Sequence, residues 1–76
     1  MAIDEIQRRA DKARQRYGEY ASIHEIHGVI VEEFHELTDA LHRSDWASYR
    51  YELADIAAVC IRAINETTTR EKLKQI

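Results

Sequence analysis

SIHEIHGVIVEEFHELTDALHRSDW, residues 22–46, decides the fold. Ser22-Ile-His-Glu25 has the capping-box pattern, in which a hydroxyl and a carboxylate three residues later each satisfy a free backbone N–H. From there Ile23, Ile26, Ile30, Phe34, Leu37 and Leu41 recur at intervals of three and four, the period of one helical face. Ser44 and Asp45 are both good N-cap residues. One helix is therefore expected to end near Arg43 and another to open at Trp46.

The same period extends upstream. Ile3, Ile6, Ala10, Ala13 and Tyr17 make one stripe, with Gly18 placed as a helix C-terminal glycine, so a first helix is expected from Ile3 to Tyr17. Downstream, the third helix is expected from Trp46 to Asn65 or Glu66. Thr67-Thr68-Thr69 is β-branched and can cap, and is expected to interrupt it. Thr68-x-x-Glu71 then reads as a capping box that opens a short fourth helix. With no Pro and two Gly, the chain is expected to be all-α, a single domain over residues 1–76. Helices two and three, each about 30 Å long, would form an antiparallel hairpin. That hairpin is expected to be the core of a four-helix bundle completed by dimerisation. A monomeric three-helix bundle is the structural alternative.

A chain of 76 residues builds only a marginal core. Its one cysteine, Cys60, excludes an intrachain disulfide and leaves a metal or self-association as the usual supports. A lone cysteine fits a reducing compartment. There is no membrane-length apolar run and no signal-peptide core, so a cytoplasmic protein without a membrane is expected. The net charge of −3 is unevenly spread. Glu19, Glu25, Glu32, Glu33, Glu36 and Asp39 lie in a stretch to His42 without Lys or Arg. Such an acidic middle does not suit nucleic acid, whose affinity comes largely from cations on phosphates. It suits a divalent cation. The basic stretch from Arg8 to Arg16 reads as a solvated helix face.

Four acids break the apolar pattern. On a wheel with Ile30 at zero, Glu33 falls at about 300°, inside the apolar arc, and Glu36 at about 240°, on its shoulder. With Leu53 at zero on the third helix, and Trp46, Tyr49, Ile56, Ala57, Cys60 and Ile64 on the apolar side, Glu52 falls at about 260° and Asp55 at about 200°. Unpaired carboxylates at a helix–helix seam are costly, and close together they repel. A magnesium ion, or manganese in its place, would neutralise them, taking carboxylate, water and phosphate oxygens. Carboxylates three residues apart share a helix face and can share an ion. The ordinary alternative is a set of boundary acids paired with Arg50, Arg62 or the basic first helix.

Val31-Glu-Glu-Phe-His-Glu-Leu37 followed by Glu52-Leu-Ala-Asp55 resembles the signature of the MazG-like nucleotide pyrophosphohydrolases. That family carries E-x-x-E, a spacer and E-x-x-D on two antiparallel helices. Here the pairs are Glu33 with Glu36 and Glu52 with Asp55, with residues 37–51 between them. Ala21 to Glu25 and the apolar run from Ala57 to Ile64 are similar to small bacterial and phage members. The likeness covers about Tyr20 to Ile64, most of the chain. It implies magnesium-dependent hydrolysis of a nucleoside triphosphate to monophosphate and pyrophosphate by a homodimer or homotetramer. It implies metal-binding and catalytic roles for Glu33, Glu36, Glu52 and Asp55, with Glu32 a weaker candidate for orienting water. Many members add a C-terminal segment of lysine, asparagine and arginine that holds phosphates. This chain ends soon after Asn65, and Arg62, Arg70, Lys72 and Lys74 match no such motif.

Other residues carry weaker signals. His24, His27 and His35 are loosely spaced and lack the closed set that zinc requires. Glu32-x-x-His35 is half of a di-iron bundle signature, and the second pair ends in Asp55 rather than His. Trp46 and Tyr49 read as core, Cys60 as a buried small hydrophobe, and Tyr17 and Tyr20 as residues that could line a base pocket. The competing function is a non-catalytic helical dimer, a nucleotide- or metal-binding regulatory module.

Overall fold

The computed structural model of the chain describes residues 2–70. Among these there are three helices and no strand: α1 (Ala2–Tyr17), α2 (Ile23–His42) and α3 (Trp46–Thr69). The longest helix, α3, is central, and α1 and α2 each pack against it. No helix among the described residues is long and apolar enough to cross a membrane.

Local chemistry sets the helix ends. Gly18 ends α1 at a φ of +76°, a left-handed conformation that costs glycine little, and its N–H donates to the Arg14 carbonyl at 2.8 Å. Ser22 caps α2, its Oγ accepting from the Glu25 N–H at 3.1 Å. The Glu25 carboxylate reaches back to the N–H of Ala21 rather than that of Ser22, at 3.0 Å. At the other end of α2, Ser44 takes a φ of +53°. Its N–H donates to Leu41 and that of Asp45 to Ala40, which satisfies carbonyls of the last turn. Asp45 then caps α3, accepting from the N–H and the Oγ of Ser48 at 3.1 and 2.7 Å.

The threonine run does not interrupt α3. Thr67, Thr68 and Thr69 turn their hydroxyls back onto the carbonyls of Ala63, Ile64 and Asn65 at 2.7, 2.7 and 3.0 Å. This bond is the one open to a threonine inside a helix, so the hydroxyls have no need of a cap. Thr68 is thus within α3, and the short fourth helix expected from Thr68-x-x-Glu71 falls on residues 71–76, outside the described residues.

The core also differs from the wheel. On α2 the buried residues are Ile26, Leu37 and Ala40, with Val29 and Ile30 partly buried. They fall between about 260° and about 360° on the wheel, an arc of about 100° in which Glu33, at about 300°, is central. Phe34 and Leu41, expected inside, are 59% and 48% exposed. On α3 the reversal is larger. Ala54, Ala58, Val59, Arg62 and Glu66 are buried, while Trp46, Leu53 and Ile64 are exposed and Cys60 only half-buried. The small Ala54 and Ala58 allow close approach of neighbouring backbones, so α3 turns its small-residue face inward. Its bulkiest apolar face, with Trp46, Leu53 and Ile64, is left exposed by the other described helices. Tyr49 is partly buried with Trp46 edge-on to it at 6.3 Å.

Candidate metal centre

The hairpin brings three of the four singled-out acids together. Glu33 and Glu36 on α2 and Glu52 on α3 each offer a carboxylate oxygen, and these oxygens lie within 4.8 Å of one another. Glu33 and Glu52 are half-buried and Glu36 is exposed. Glu33 Oε2 and Glu52 Oε2 are shut off from solvent and have no donor among the described residues. As carboxylates they cannot donate to each other. A hydrogen bond between any two of them requires a proton on one.

The electrostatics follow. Burial pushes the Glu33 carboxyl above its ordinary value of 4.5, and the charges of Glu36, Asp55 and Glu32 add to the rise. Glu36 is raised first by hydrogen bonding with Glu52, then by burial and by the Glu52 charge. Burial is also the leading cause for Glu52, followed by its contact with Glu33. All three carboxyls are thus shifted upward, toward easier protonation, with the contact to Glu52 partly opposing the rise at Glu33, as expected where close like charges meet.

Asp55 is placed differently. Its Oδ1 accepts from Arg9 Nη1 on α1 at 3.0 Å. This is the pairing with the basic first helix that the ordinary alternative anticipated, realised at one acid of the four. Arg9 also reaches Glu5 Oε1 at 3.4 Å, and its guanidinium lies 4.2 Å over the Tyr51 ring. Glu5 is shared with Arg50 at 3.1 Å, a bond that is the first cause of its lowered pKa.

Next to the acids is a cleft of about 690 Å³ between α1, α2 and α3. Glu32, Glu33 and Asp55 line one part of it, and Tyr20 and Arg62 another. Tyr20 is buried and Tyr17 is 71% exposed, and both line the cleft. His24, His27 and His35 are exposed and join no metal-ligating cluster among the described residues.

Glu66 has no site role in the sequence reading, and Arg62, Arg70 and Tyr20 take a role that differs from the phosphate-holding and base-lining ones weighed for them. Arg62 is buried over the Tyr20 ring at 4.3 Å and donates to the Gly18 carbonyl at 2.8 Å. Glu66, 5% exposed, accepts from the Tyr20 N–H at 2.7 Å and from Arg70 at 3.3 Å. Together they pin the α1–α2 connection to the end of α3. The available signal was position: Asp55, Arg62 and Glu66 follow at seven and four residues on one face of α3.

Comparison with protein-family models, curated proteins and solved structures finds no match to the chain.

Proposed function

We propose that the chain is a magnesium-dependent nucleotide pyrophosphohydrolase of the MazG-like kind, acting in the cytoplasm as a homo-oligomer. The observation that carries this reading is the meeting of Glu33, Glu36 and Glu52 across the α2–α3 seam, with one solvent-shielded oxygen on each of Glu33 and Glu52 lacking a donor among the described residues. Such oxygens fit a hard divalent cation, which supplies the missing positive charge. These three acids would hold it, with Asp55 joining if Arg9 releases it. Bound there, magnesium would polarise a phosphoryl group.

The chain's own groups do the rest. The cleft beside Glu33 and Asp55 has the volume of a small-molecule site. Arg9 and Arg62 on its walls can hold phosphate oxygens. A carboxylate that is not holding the cation can take the proton of the attacking water. Water then adds to the phosphorus as the bond between the α- and β-phosphoryl groups breaks, and pyrophosphate leaves.

Self-association is supported by the uncovered apolar side of the hairpin, with Phe34, Leu41, Leu53 and Ile64 all exposed in one chain. Two hairpins joined there would make a four-helix core, and such a patch usually marks an interaction surface. The pairing of Asp55 with Arg9 favours a second reading, a regulatory module that binds nucleotide or metal without turnover.

The test is pyrophosphate release from a panel of ribo- and deoxynucleoside triphosphates with Mg²⁺, run beside Glu36→Gln and Asp55→Asn. Release by the parent, abolished in both variants and by EDTA, is the expected result. No release from any substrate by a folded, magnesium-binding protein would reject the enzyme and favour the module.

A further inference from the structure

Of the four acids at the seam, Asp55 alone has a basic partner among the described residues. That partner sits on a different helix and is held from three sides. Arg9 Nη1 meets Asp55, Nη2 meets Glu5, and the guanidinium plane covers Tyr51. Glu5 is in turn anchored by Arg50. If Asp55 were neutralised by another cation, Glu5 and Tyr51 would still hold the guanidinium at the cleft wall.

An independent observation points to an anion in the same cleft. Arg62 is 8% exposed, lines the cleft, and its Nε has no acceptor among the described residues. Its ring contact with Tyr20 and its bond to the Gly18 carbonyl leave its charge without a carboxylate within salt-bridge distance among the described residues. One cleft thus contains a buried arginine with an unused donor, a second arginine committed to an acid, and the edge of an acidic cluster.

We propose that Arg9 is an internal counter-cation that yields Asp55 to a divalent cation and turns to the phosphate of the same ligand. The inference rests on the acidic cluster being a cation site, as read above. It makes the cleft a site for a phosphorylated ligand together with its cation, favoured over either alone. An arginine suits both states, because its planar donors match carboxylate and phosphate equally well.

The test separates Arg9 from the cluster itself. Mn²⁺ binding without phosphate is followed by the spin signal of the free ion, and magnesium pyrophosphate binding by calorimetry. Removing a competing partly exposed ion pair in Arg9→Gln should tighten Mn²⁺ binding about two- to fivefold. Loss of its charge-assisted bonds should weaken magnesium pyrophosphate binding about tenfold or more. Opposite signs are expected, whereas a merely structural residue would weaken both. In the parent, Mg²⁺ alone should shift the Arg9 Nε–H resonance, and Asp55→Asn should abolish the shift. That measurement decides the matter even if Arg9→Gln does not fold. Unchanged or weaker Mn²⁺ binding in a folded Arg9→Gln, or an Arg9 resonance indifferent to Mg²⁺, overturns the proposal while leaving the cation site standing. No Mn²⁺ binding by the parent overturns both.

Discussion

Replacing Glu33 by Gln should stabilise the metal-free protein and abolish its stabilisation by magnesium. Glu33 is central to the buried arc of α2, with Oε2 shielded from solvent and without a partner among the described residues. A buried polar atom left without a partner costs about 1–3 kcal/mol. The side chain is only half-buried, so solvent screening reduces the gain to about 1 kcal/mol. For a domain of this size that is about 4–8 °C in melting temperature. The Gln amide also supplies a donor that Glu52 can accept, which no carboxylate of the trio offers. Magnesium should stabilise only the parent, by about 2.7 kcal/mol at a hundred times its dissociation constant.

The pH dependence has a definite sign. The folded Glu33 carboxyl lies above its ordinary value of 4.5, so the folded state binds the extra proton. Its contribution to stability is complete below 4.5 and is lost as pH rises through the folded value. In EDTA the parent should therefore lose stability with rising pH above 4.5, and Glu33→Gln should lose less. Thermal unfolding followed by far-UV circular dichroism, in EDTA and in Mg²⁺ across this range, reads all three effects. A Glu33→Gln protein that is less stable than the parent in EDTA, with an unchanged pH slope, would refute the reasoning. Glu33 would then be held by favourable contacts rather than by a waiting cation.

Other outcomes follow from the same geometry. Glu66→Ala removes the acceptor of the Tyr20 N–H and one of the partners of Arg70, which keeps Glu19 and the Tyr20 carbonyl, and should cost about 1–3 kcal/mol in urea unfolding. Ser44→Gly relieves a left-handed conformation at the end of α2 and should add about 1 kcal/mol in the same assay. Ser22→Ala deletes the α2 cap and should cost about 1 kcal/mol. Leu53→Glu places a charge on the exposed apolar face of α3 and should reduce the proposed oligomer to monomer in analytical ultracentrifugation while leaving helix content unchanged.

The elements legible in the sequence are those set by nearest-neighbour chemistry. Ser22, Asp45 and Gly18 act within one turn of their own position, and each sits where the sequence reading puts it. The threonine run misleads because two local bonds compete, and back-bonding to the preceding turn prevails over capping. The face of α3 is hidden for a different reason. A wheel weighs Leu53 and Ile64 above Ala54 and Ala58, so it points to the most apolar side. Packing between α1 and α2 instead selects the side with small residues. Wheel arithmetic does not distinguish a face covered within the chain from one left for another molecule. Glu33, Glu36 and Glu52 were legible because they break the pattern of faces that do meet. The engagement of Asp55 by Arg9 was not, since it depends on where α1 docks.

The central claim is that the α2–α3 seam binds a divalent cation through its glutamates. It is tested most directly by calorimetric titration of Mg²⁺ into the nucleotide-free parent and into Glu52→Gln, both checked for fold. A saturable magnesium site in the parent, lost in Glu52→Gln, is expected. Equal binding by the two, or none by the parent, would contradict the claim.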